Sequence, residues 1–126
     1  MPRFSILTHD HPFPHWDFLL EQGDTCRTWR LTAAPDSGGE VIAEPLPDHR
    51  LLYLEYEGPV SGNRGTVSLW DTGTFEWLAD ENGIAKVELH GRVMKGVAQV
   101  ETSKTPASSP RQPTGVCTTF RFTQTG

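Results

Sequence analysis

Long apolar runs are the first feature that the sequence lacks. No window of the 126 residues approaches the length of a membrane span. The N-terminal segment MPRFSILTHDH turns polar too early to serve as a secretory signal peptide. We therefore expect a cytoplasmic protein that makes no contact with a membrane.

Cysteine is also scarce. Cys26 and Cys117 are the two cysteines, and they match no CxxC or other metal-binding spacing. This spacing excludes a cysteine-based metal site. We expect two reduced, partly buried thiols, as is usual in cytosolic proteins, and a disulfide between them is the alternative.

Positive charge is in short supply as well. The 11 Lys and Arg against 16 Asp and Glu give a net charge of −5, which argues against generic, charge-driven binding along nucleic acids. An enzyme that meets nucleic-acid ends through a local site is not excluded. The sequence also lacks a phosphate-cradling Walker loop and any Ser-His-Asp or Cys-His arrangement.

What the sequence does have is apolar alternation with a period of two, and long helical patterns are missing. The 12 Gly and 10 Pro suit many short strands joined by turns. We predict an all-β fold with one domain over residues 1–126, a small closed or partly open β-barrel of about eight to ten mostly antiparallel strands. The predicted strands cover residues 4–8, 15–22, 25–32, 40–43, 49–57, 66–70, 73–78, 84–90, 92–101 and 116–123, and a mobile loop is predicted over 103–115.

The densest group of chemistry-bearing residues lies near the N-terminus, where three of the five histidines fall within seven positions. Residues two apart on a strand share a face, so His15 and Asp17 project together, opposite Trp16. The prolines of the segment HDHPFPHWD force a bend that can fold His9 back toward His15. Two imidazoles and a carboxylate are a familiar ligand set for Mn²⁺, Fe²⁺ or Zn²⁺. The alternative is a group of histidines exposed on a surface loop.

A second group of polar residues follows further along the chain. His49 and Tyr53 are four apart and share a face of the predicted strand over 49–57. They could contact a phosphoryl oxygen or donate a proton to a leaving group. The alternative is a histidine at a strand end and a half-buried tyrosine. We interpret His90 as structural and Asp71 as a turn residue between two strands.

These groups together resemble the 3′-phosphoesterase domain of bacterial DNA ligase D. Its opening motif has the form HDxxxxHYDFRLE, and residues 9–21 of this chain are HDHPFPHWDFLLE. The resemblance spans roughly residues 4–101, in order and with close spacing. It continues through Trp29, Asp48-His49 with Tyr53, Tyr56-Glu57-Gly58, the segment GTVSLWDTGT over 65–74, Leu89-His90-Gly91 and Lys95-Gly96.

The resemblance implies a small β-barrel and a manganese-dependent phosphoesterase that heals 3′ ends in DNA repair by non-homologous end joining. Such an enzyme removes a terminal ribonucleoside and then the 3′-phosphate before break sealing. The resemblance also implies that His9, His15 and Asp17 bind Mn²⁺ or another divalent transition metal, and that His49 contacts the scissile phosphate with Tyr53 close by. Expected partners are nucleic-acid 3′ ends or a small phosphate ester, together with end-joining proteins. We expect a stand-alone monomer.

The chain departs from the family at positions that carry cations. The motif Arg two residues after Asp17 is replaced by Leu19, a family Lys falls at about Ala33, and a basic residue eight positions before His49 is Val41. A bidentate Arg binds phosphate strongly, so its loss weakens the expected stabilisation of the transition state. The remaining candidates for this role are Arg3, Arg50 and Arg64.

Two alternatives to the phosphoesterase hypothesis follow. The chain could be a non-catalytic relative that keeps the barrel and binds a metal, nucleic-acid ends or a repair partner after losing the phosphate-clamping cations. It could also be a different metal enzyme on the same scaffold, such as one using oxygen chemistry at a two-His-one-carboxylate site.

Overall fold

The computed structural model describes residues 2–105 and 115–125. This part of the chain is built from nine β-strands and one short 3-10 helix, so the all-β prediction is confirmed. The strands are β1 Arg3–His9, β2 His15–Gln22, β3 Thr25–Leu31, β4 Glu40–Arg50, β5 Gly58–Pro59, β6 Thr66–Glu81, β7 Ile84–Gly91, β8 Lys95–Thr105 and β9 Gly115–Gln124, and the 3-10 helix is Leu51–Leu54.

The nine strands form one antiparallel sheet that closes on itself. The strand order is β1-β2-β3-β4-β9-β8-β7-β6-β5, and an additional pairing of β1 with β6 joins the two sides into a ring. Among the described residues, the short strand β5 pairs with the start of β6 and with no other strand, so it stays outside the ring. The predicted strand number and antiparallel arrangement are confirmed.

The interior of the ring is the main apolar core. Every second residue of β2 faces it, as the alternation of the sequence predicts, and aromatic rings supply much of its volume. The fully buried phenylalanines of this core come from four different strands, so the core ties the ring together from all sides. They are Phe4, Phe18, Phe75 and Phe120.

A second apolar cluster lies on the outer face of β1, β2 and β3. Leu19 belongs to it and alternates along β2 with residues of the inner core, so it must face outward. The segment that follows β4 covers this face, with Leu54 of the 3-10 helix buried against it. Ser5 of β1 fastens the helix by donating its hydroxyl to the Leu54 carbonyl. The part of the outer face around Leu19 is therefore covered by the 3-10 helix.

One predicted hairpin is wrong. Residues 66–78 form no hairpin over Asp71 and Thr72, because β6 runs unbroken over Thr66–Glu81 and changes partner from β1 to β7. Gly73 permits this crossing, since a Cβ atom there would collide with the backbone of His90. The buried Asp71 is not a turn residue but accepts hydrogen bonds from the backbone of residue 72 and of residues 92–94.

The predictions for residues 40–57 are also wrong in part. The strand β4 does not end at Ala43 but continues through Pro45 and Pro47 to Arg50. Beyond residue 42 β4 pairs only with β3 among the described residues, so these prolines lie where one side of the strand needs no donor. The chain then turns into a 3-10 helix and not into the predicted strand over 49–57.

The remaining predictions concern the C-terminal part and the cysteines. The predicted mobile loop over 103–115 lies mostly outside the described residues, and its ends at 103–105 and 115 belong to β8 and β9. Cys26 and Cys117 are both free. None of the helical structure in the described ranges is long and apolar enough to span a membrane.

Candidate metal centre

The hairpin of β1 and β2 brings two histidines together. His9 is the last residue of β1, His15 is the first residue of β2, and the two are cross-strand partners. Their ring centroids are 4.9 Å apart. Asp17 follows two residues later and projects from the same face. The side chains of His9, His15 and Asp17, called the triad below, therefore cluster at the loop end of the hairpin.

The triad is compact and largely buried. His9 Nδ1 lies 3.2 Å from Asp17 Oδ2, and His15 Nε2 lies 3.0 Å from Asp17 Oδ1. One nitrogen from each histidine and a carboxylate oxygen all lie within 4.8 Å of one another. His15 and Asp17 are each only 2% exposed, whereas His9 is half-buried.

Backbone carbonyls fix the orientation of both rings. His9 Nε2 lies 2.8 Å from the carbonyl oxygen of Arg64, and His15 Nδ1 lies 2.7 Å from that of Phe13. A carbonyl oxygen only accepts hydrogen bonds, so these two nitrogens carry the protons of the neutral rings. In the neutral rings, His9 Nδ1 and His15 Nε2 therefore carry lone pairs, and both atoms face the carboxylate of Asp17.

This arrangement leaves buried polar atoms unsatisfied. His15 Nε2 and Asp17 Oδ1 are buried and have no hydrogen-bond partner among the described residues. Buried lone pairs without a donor are costly, and a divalent cation would satisfy them together. The outer partner of each imidazole is a backbone carbonyl, which is a usual partner for the outward-facing nitrogen of a metal-bound histidine. The donor set thus fits Mn²⁺, Fe²⁺ or Zn²⁺.

The loop before β6 completes the site in a way that the sequence did not indicate. Arg64 contributes its carbonyl to His9, while its guanidinium Nε donates to the Ser61 carbonyl at 2.7 Å. Asp10 accepts a hydrogen bond from the backbone nitrogen of Thr66 at 2.7 Å and so joins this loop to the hairpin. Gly65 has a φ of +80°, and a Cβ atom there would collide with Asp10. A carbonyl partner leaves no mark in a sequence, because any residue can supply one.

The second predicted group forms by a different route. His49 lies near the end of β4, and Tyr53 lies in the 3-10 helix. Their rings meet edge to face at 5.7 Å, and Tyr56 extends the row with a centroid distance of 5.6 Å from Tyr53. His49 Nδ1 lies 3.0 Å from the carbonyl oxygen of Pro47, so this nitrogen is the hydrogen-bond donor. In the neutral ring Nε2 therefore carries the lone pair.

The structure does not bring His49 into the same depression as the triad. His49 is opposite Cys26 on β3, and Cys26 is opposite Glu21 on β2. Glu21 is four residues beyond Asp17, which corresponds to about 13 Å along the strand. The depression beside the triad and the one beside His49 share no lining residue.

The three positions where the chain departs from the family motif face inward or are covered. Leu19 is fully buried in the outer cluster, and Val41 is buried in the inner core. Ala33 is half-buried and packs against the inner core. In this chain the side chains at these positions therefore pack in or against the apolar clusters.

Cys26 lies in the outer cluster directly opposite His49. Burial of the thiol raises its pKa from 9.0 to about 11, and the nearby Glu21 carboxylate adds to the effect. Cys26 is therefore a protonated, apolar neighbour of His49 at neutral pH and not a nucleophile.

A second cluster of possible ligands lies elsewhere on the ring. His90 Nε2 is 3.3 Å from Glu88 Oε1 and 3.8 Å from Glu76 Oε2. Glu76 and His90 are exposed and Glu88 is half-buried. The cluster has the character of surface ion pairs, in contrast to the buried triad.

A comparison with protein families decides where this chain belongs. Residues 7–101 match the model of the DNA Ligase D 3′-phosphoesterase domain. The matched range includes the triad, His49 and Tyr53. The chain belongs to the DNA ligase D 3′-phosphoesterase domain family. The resemblance inferred from the sequence motifs is thereby confirmed.

Curated relatives agree with this assignment. The chain is 30% identical over 104 residues to the multifunctional non-homologous end joining protein LigD of Pseudomonas aeruginosa, which covers 75% of this chain and 12% of the relative. It is 32% identical over 102 residues to the LigD proteins of Mycobacterium bovis and Mycobacterium tuberculosis, which covers 74% of this chain and 13% of each relative. This member of the DNA ligase D 3′-phosphoesterase domain family thus spans about an eighth of the length of these relatives.

Proposed function

We propose that this chain is a divalent-metal-dependent phosphoesterase that removes a 3′-phosphate or a 3′-terminal ribonucleotide from nucleic-acid ends. The observation that carries the proposal is the convergence of two imidazole lone pairs and a buried carboxylate in the triad. Family membership supports the reaction class, because the matching model is a 3′-phosphoesterase domain.

His9, His15 and Asp17 would hold the metal, and Mn²⁺ is the ion that we propose. Bound there, the ion supplies Lewis acidity at a phosphoryl oxygen and lowers the pKa of a coordinated water. The protein contributes the fixed ring orientations, through the carbonyls of Phe13 and Arg64. Because these contacts hold both rings, the donors need little reorganisation.

His49 and Tyr53 would act on the substrate away from the triad. His49 is half-buried, and its Nε2 points away from the Pro47 carbonyl that orients the ring. When protonated, Nε2 can donate a hydrogen bond to a phosphoryl oxygen of the substrate. The strand register separates this group from the triad by about 13 Å along the sheet, so one strand of nucleic acid could contact both groups.

The expected partner is an end and not a length of nucleic acid. A net charge of −5 disfavours binding along a phosphate backbone, whereas a local metal centre can attract a terminal phosphate. The relatives are named for non-homologous end joining, and we propose that this chain works with end-joining proteins in the same repair process. We further propose that it acts as a monomer in the cytoplasm.

A second candidate function rests on the buried positions of Leu19 and Val41. In this alternative the chain binds metal or nucleic-acid ends without catalysis, because the family's cations are absent at these positions. Tight binding of a 3′-phosphate end without turnover would favour this alternative.

The test is a calorimetric titration of the purified, metal-free chain with Mn²⁺, followed by assays on a primer-template with a 3′-phosphate and on a generic phosphodiester. We expect one Mn²⁺ per chain and turnover that EDTA abolishes. His15→Ala removes a buried triad nitrogen and should abolish both properties. His90→Ala, in the exposed cluster on β7, is the matched control and should leave both unchanged.

Metal binding without turnover on either substrate would overturn the phosphoesterase proposal. Failure of His15→Ala to weaken Mn²⁺ binding would overturn the metal centre itself. Elemental analysis of the protein as purified adds a further check, because stoichiometric iron would favour oxygen chemistry at the two-His-one-carboxylate set.

A further inference from the structure

Among the cations on the described strands, Arg30 has the strand position closest to the triad. It is opposite Asp17 in the pairing of β2 with β3. Its neighbours Trp29 and Leu31 face the inner core, so Arg30 projects outward on the face of the triad. Directly opposed residues of antiparallel strands have Cβ atoms about 5 Å apart.

Phe13 holds the Arg30 side chain beside the metal centre. The guanidinium carbon lies 5.4 Å from the centroid of the Phe13 ring. The same ring meets the His15 imidazole edge to face at 5.5 Å, and the Phe13 carbonyl is the partner of His15 Nδ1. Phe13 therefore links the guanidinium to a triad ligand through two contacts.

The hydrogen-bonding capacity of Arg30 is largely unused within the described part of the chain. Its Nε is buried and has no hydrogen-bond partner there. Its Nη1 lies 3.5 Å from a carboxylate oxygen of Glu44, whose side chain is 58% exposed. A guanidinium has five N–H donors, and a 3.5 Å contact with a largely exposed carboxylate is weak enough to exchange for another anion.

The three other arginines suggested by the sequence are placed less well. Arg3 is at the far end of β1 and contacts Glu21 and Glu55 at 3.5 and 3.1 Å. The guanidinium of Arg64 contacts Ser61. Arg50 is opposite Thr25, at the other end of β3 from Leu31.

Resting on the proposed phosphoesterase function, we propose that Arg30 binds the phosphate group of the substrate beside the triad. It supplies from β3 the cation that the family motif places two residues after Asp17, where this chain has the buried Leu19. Exchange of Glu44 for a phosphate oxygen brings the guanidinium into a bidentate contact. Arg30 is then a determinant of affinity for the terminal phosphate.

The experiment compares binding of two oligonucleotides, one with a 3′-phosphate and one with a 3′-hydroxyl, to the Mn²⁺-loaded and the metal-free chain. For Arg30→Met we expect the preference for the 3′-phosphate to fall about 10- to 100-fold, with Mn²⁺ affinity unchanged. Arg30→Lys should keep part of the preference, because it retains the charge but not the fork of donors.

Arg27→Met is the matched control. Arg27 is on the same strand and is similarly shielded, but it pairs with Asp80 and packs over Trp29 and Trp77. The Arg27→Met variant loses the same charge as Arg30→Met, and its preference for the 3′-phosphate should stay within about twofold of the wild type. Glu44→Gln removes the competing carboxylate and should strengthen phosphate binding a few-fold at low salt.

The outcomes separate the two proposals. If His15→Ala abolishes Mn²⁺ binding and turnover while Arg30→Met matches the wild type, only the role of Arg30 is overturned. If the wild type neither binds Mn²⁺ nor hydrolyses phosphate esters, the proposed function fails. In that case a loss of 3′-phosphate preference in Arg30→Met still supports an anion site at Arg30, and no such preference in the wild type overturns it.

Discussion

The triad and the His49–Tyr53 pair use similar residue types in different surroundings. In the triad, His15 and Asp17 are 2% exposed, and each imidazole is oriented by a backbone carbonyl. In the pair, both side chains are half-buried, and Tyr53 is carried by a single turn of 3-10 helix. The triad is locked by the hairpin, whereas the pair depends on a segment packed over the outer cluster.

This difference indicates different tasks. Buried lone pairs that face one another are poorly satisfied by the protein alone, so they are suited to a cation. A half-buried histidine beside a tyrosine has one nitrogen accessible and suits a group that meets a substrate and releases it. We therefore expect changes in the triad to affect metal binding and changes in the pair to affect turnover.

Asp17→Asn should give the largest effect. The amide keeps the size of the side chain but provides one weaker ligand, so Mn²⁺ affinity should fall about 1,000-fold, or about 4 kcal/mol. Without metal the amide can donate to a facing imidazole, and the free energy of unfolding should rise by about 1 kcal/mol. Titration calorimetry and urea unfolding measure the two effects. Unchanged Mn²⁺ affinity would contradict the triad as a metal centre.

Leu19→Ala should lower the stability of the protein without weakening Mn²⁺ binding by the triad. Leu19 is fully buried beneath the 3-10 helix, so its truncation should lower the free energy of unfolding by about 3 kcal/mol. Mn²⁺ affinity should stay within about threefold, because hairpin backbone positions the triad. Leu52→Ala, at an exposed leucine of the same helix, should cost less than about 0.5 kcal/mol. Equal losses in both variants would show that the cluster does not support the helix.

His49→Ala should lower kcat/KM about 100-fold, or about 2.7 kcal/mol, because it removes the proposed contact with a phosphoryl oxygen of the substrate. Stability and Mn²⁺ affinity should be nearly unchanged, since the ring is half-buried and its one assigned polar contact is with the Pro47 carbonyl. Steady-state kinetics on the 3′-phosphate substrate check the first expectation. Full activity would remove His49 from the mechanism.

The smallest expected effect concerns the thiol of Cys26, which is opposite His49. The folded pKa of Cys26 is about 11 and the unfolded value is 9.0, so the unfolded state loses its proton first as the pH rises. The stability from keeping the thiol neutral is complete below pH 9 and is lost as the pH rises through about 11. At pH 10 the loss should be about 1.4 kcal/mol.

The measurement is the difference in unfolding free energy between the wild type and Cys26→Ala at pH 8 and pH 10. The variant lacks the titrating group, so its stability should decline less over this interval. Parallel declines in the two proteins would mean that Cys26 does not titrate differently in the folded state.

The strands of the N-terminal half show how far local pattern carries. Alternation over 15–22 placed Phe18 inward and Asp17 outward, and the structure has the same arrangement. The same logic failed at Asp71-Thr72-Gly73, which has the composition of a turn. There Gly73 serves a close approach to β7, which is a long-range contact. Local sequence does not distinguish these two uses of glycine.

The candidate site divides in the same way. The spacing of His9, His15 and Asp17 was sufficient to propose a shared site, because a hairpin sets two of them opposite each other. The pairing of Tyr53 with His49 was proposed on a strand that does not exist, and a 3-10 helix brings the rings together. The role of the Arg64 carbonyl was not visible at all.

The sequence by itself determined the period of the strands, the family motif and the chemical types of the ligands, since all of these are local in the chain. The tertiary structure decided which nitrogen of each imidazole is available to bind a metal. It also decided that Leu19 is buried in the outer cluster and that Arg30 is opposite Asp17. These features depend on backbone atoms and strand register. Contacts between distant segments set both, and the order of side chains along the chain does not encode them directly.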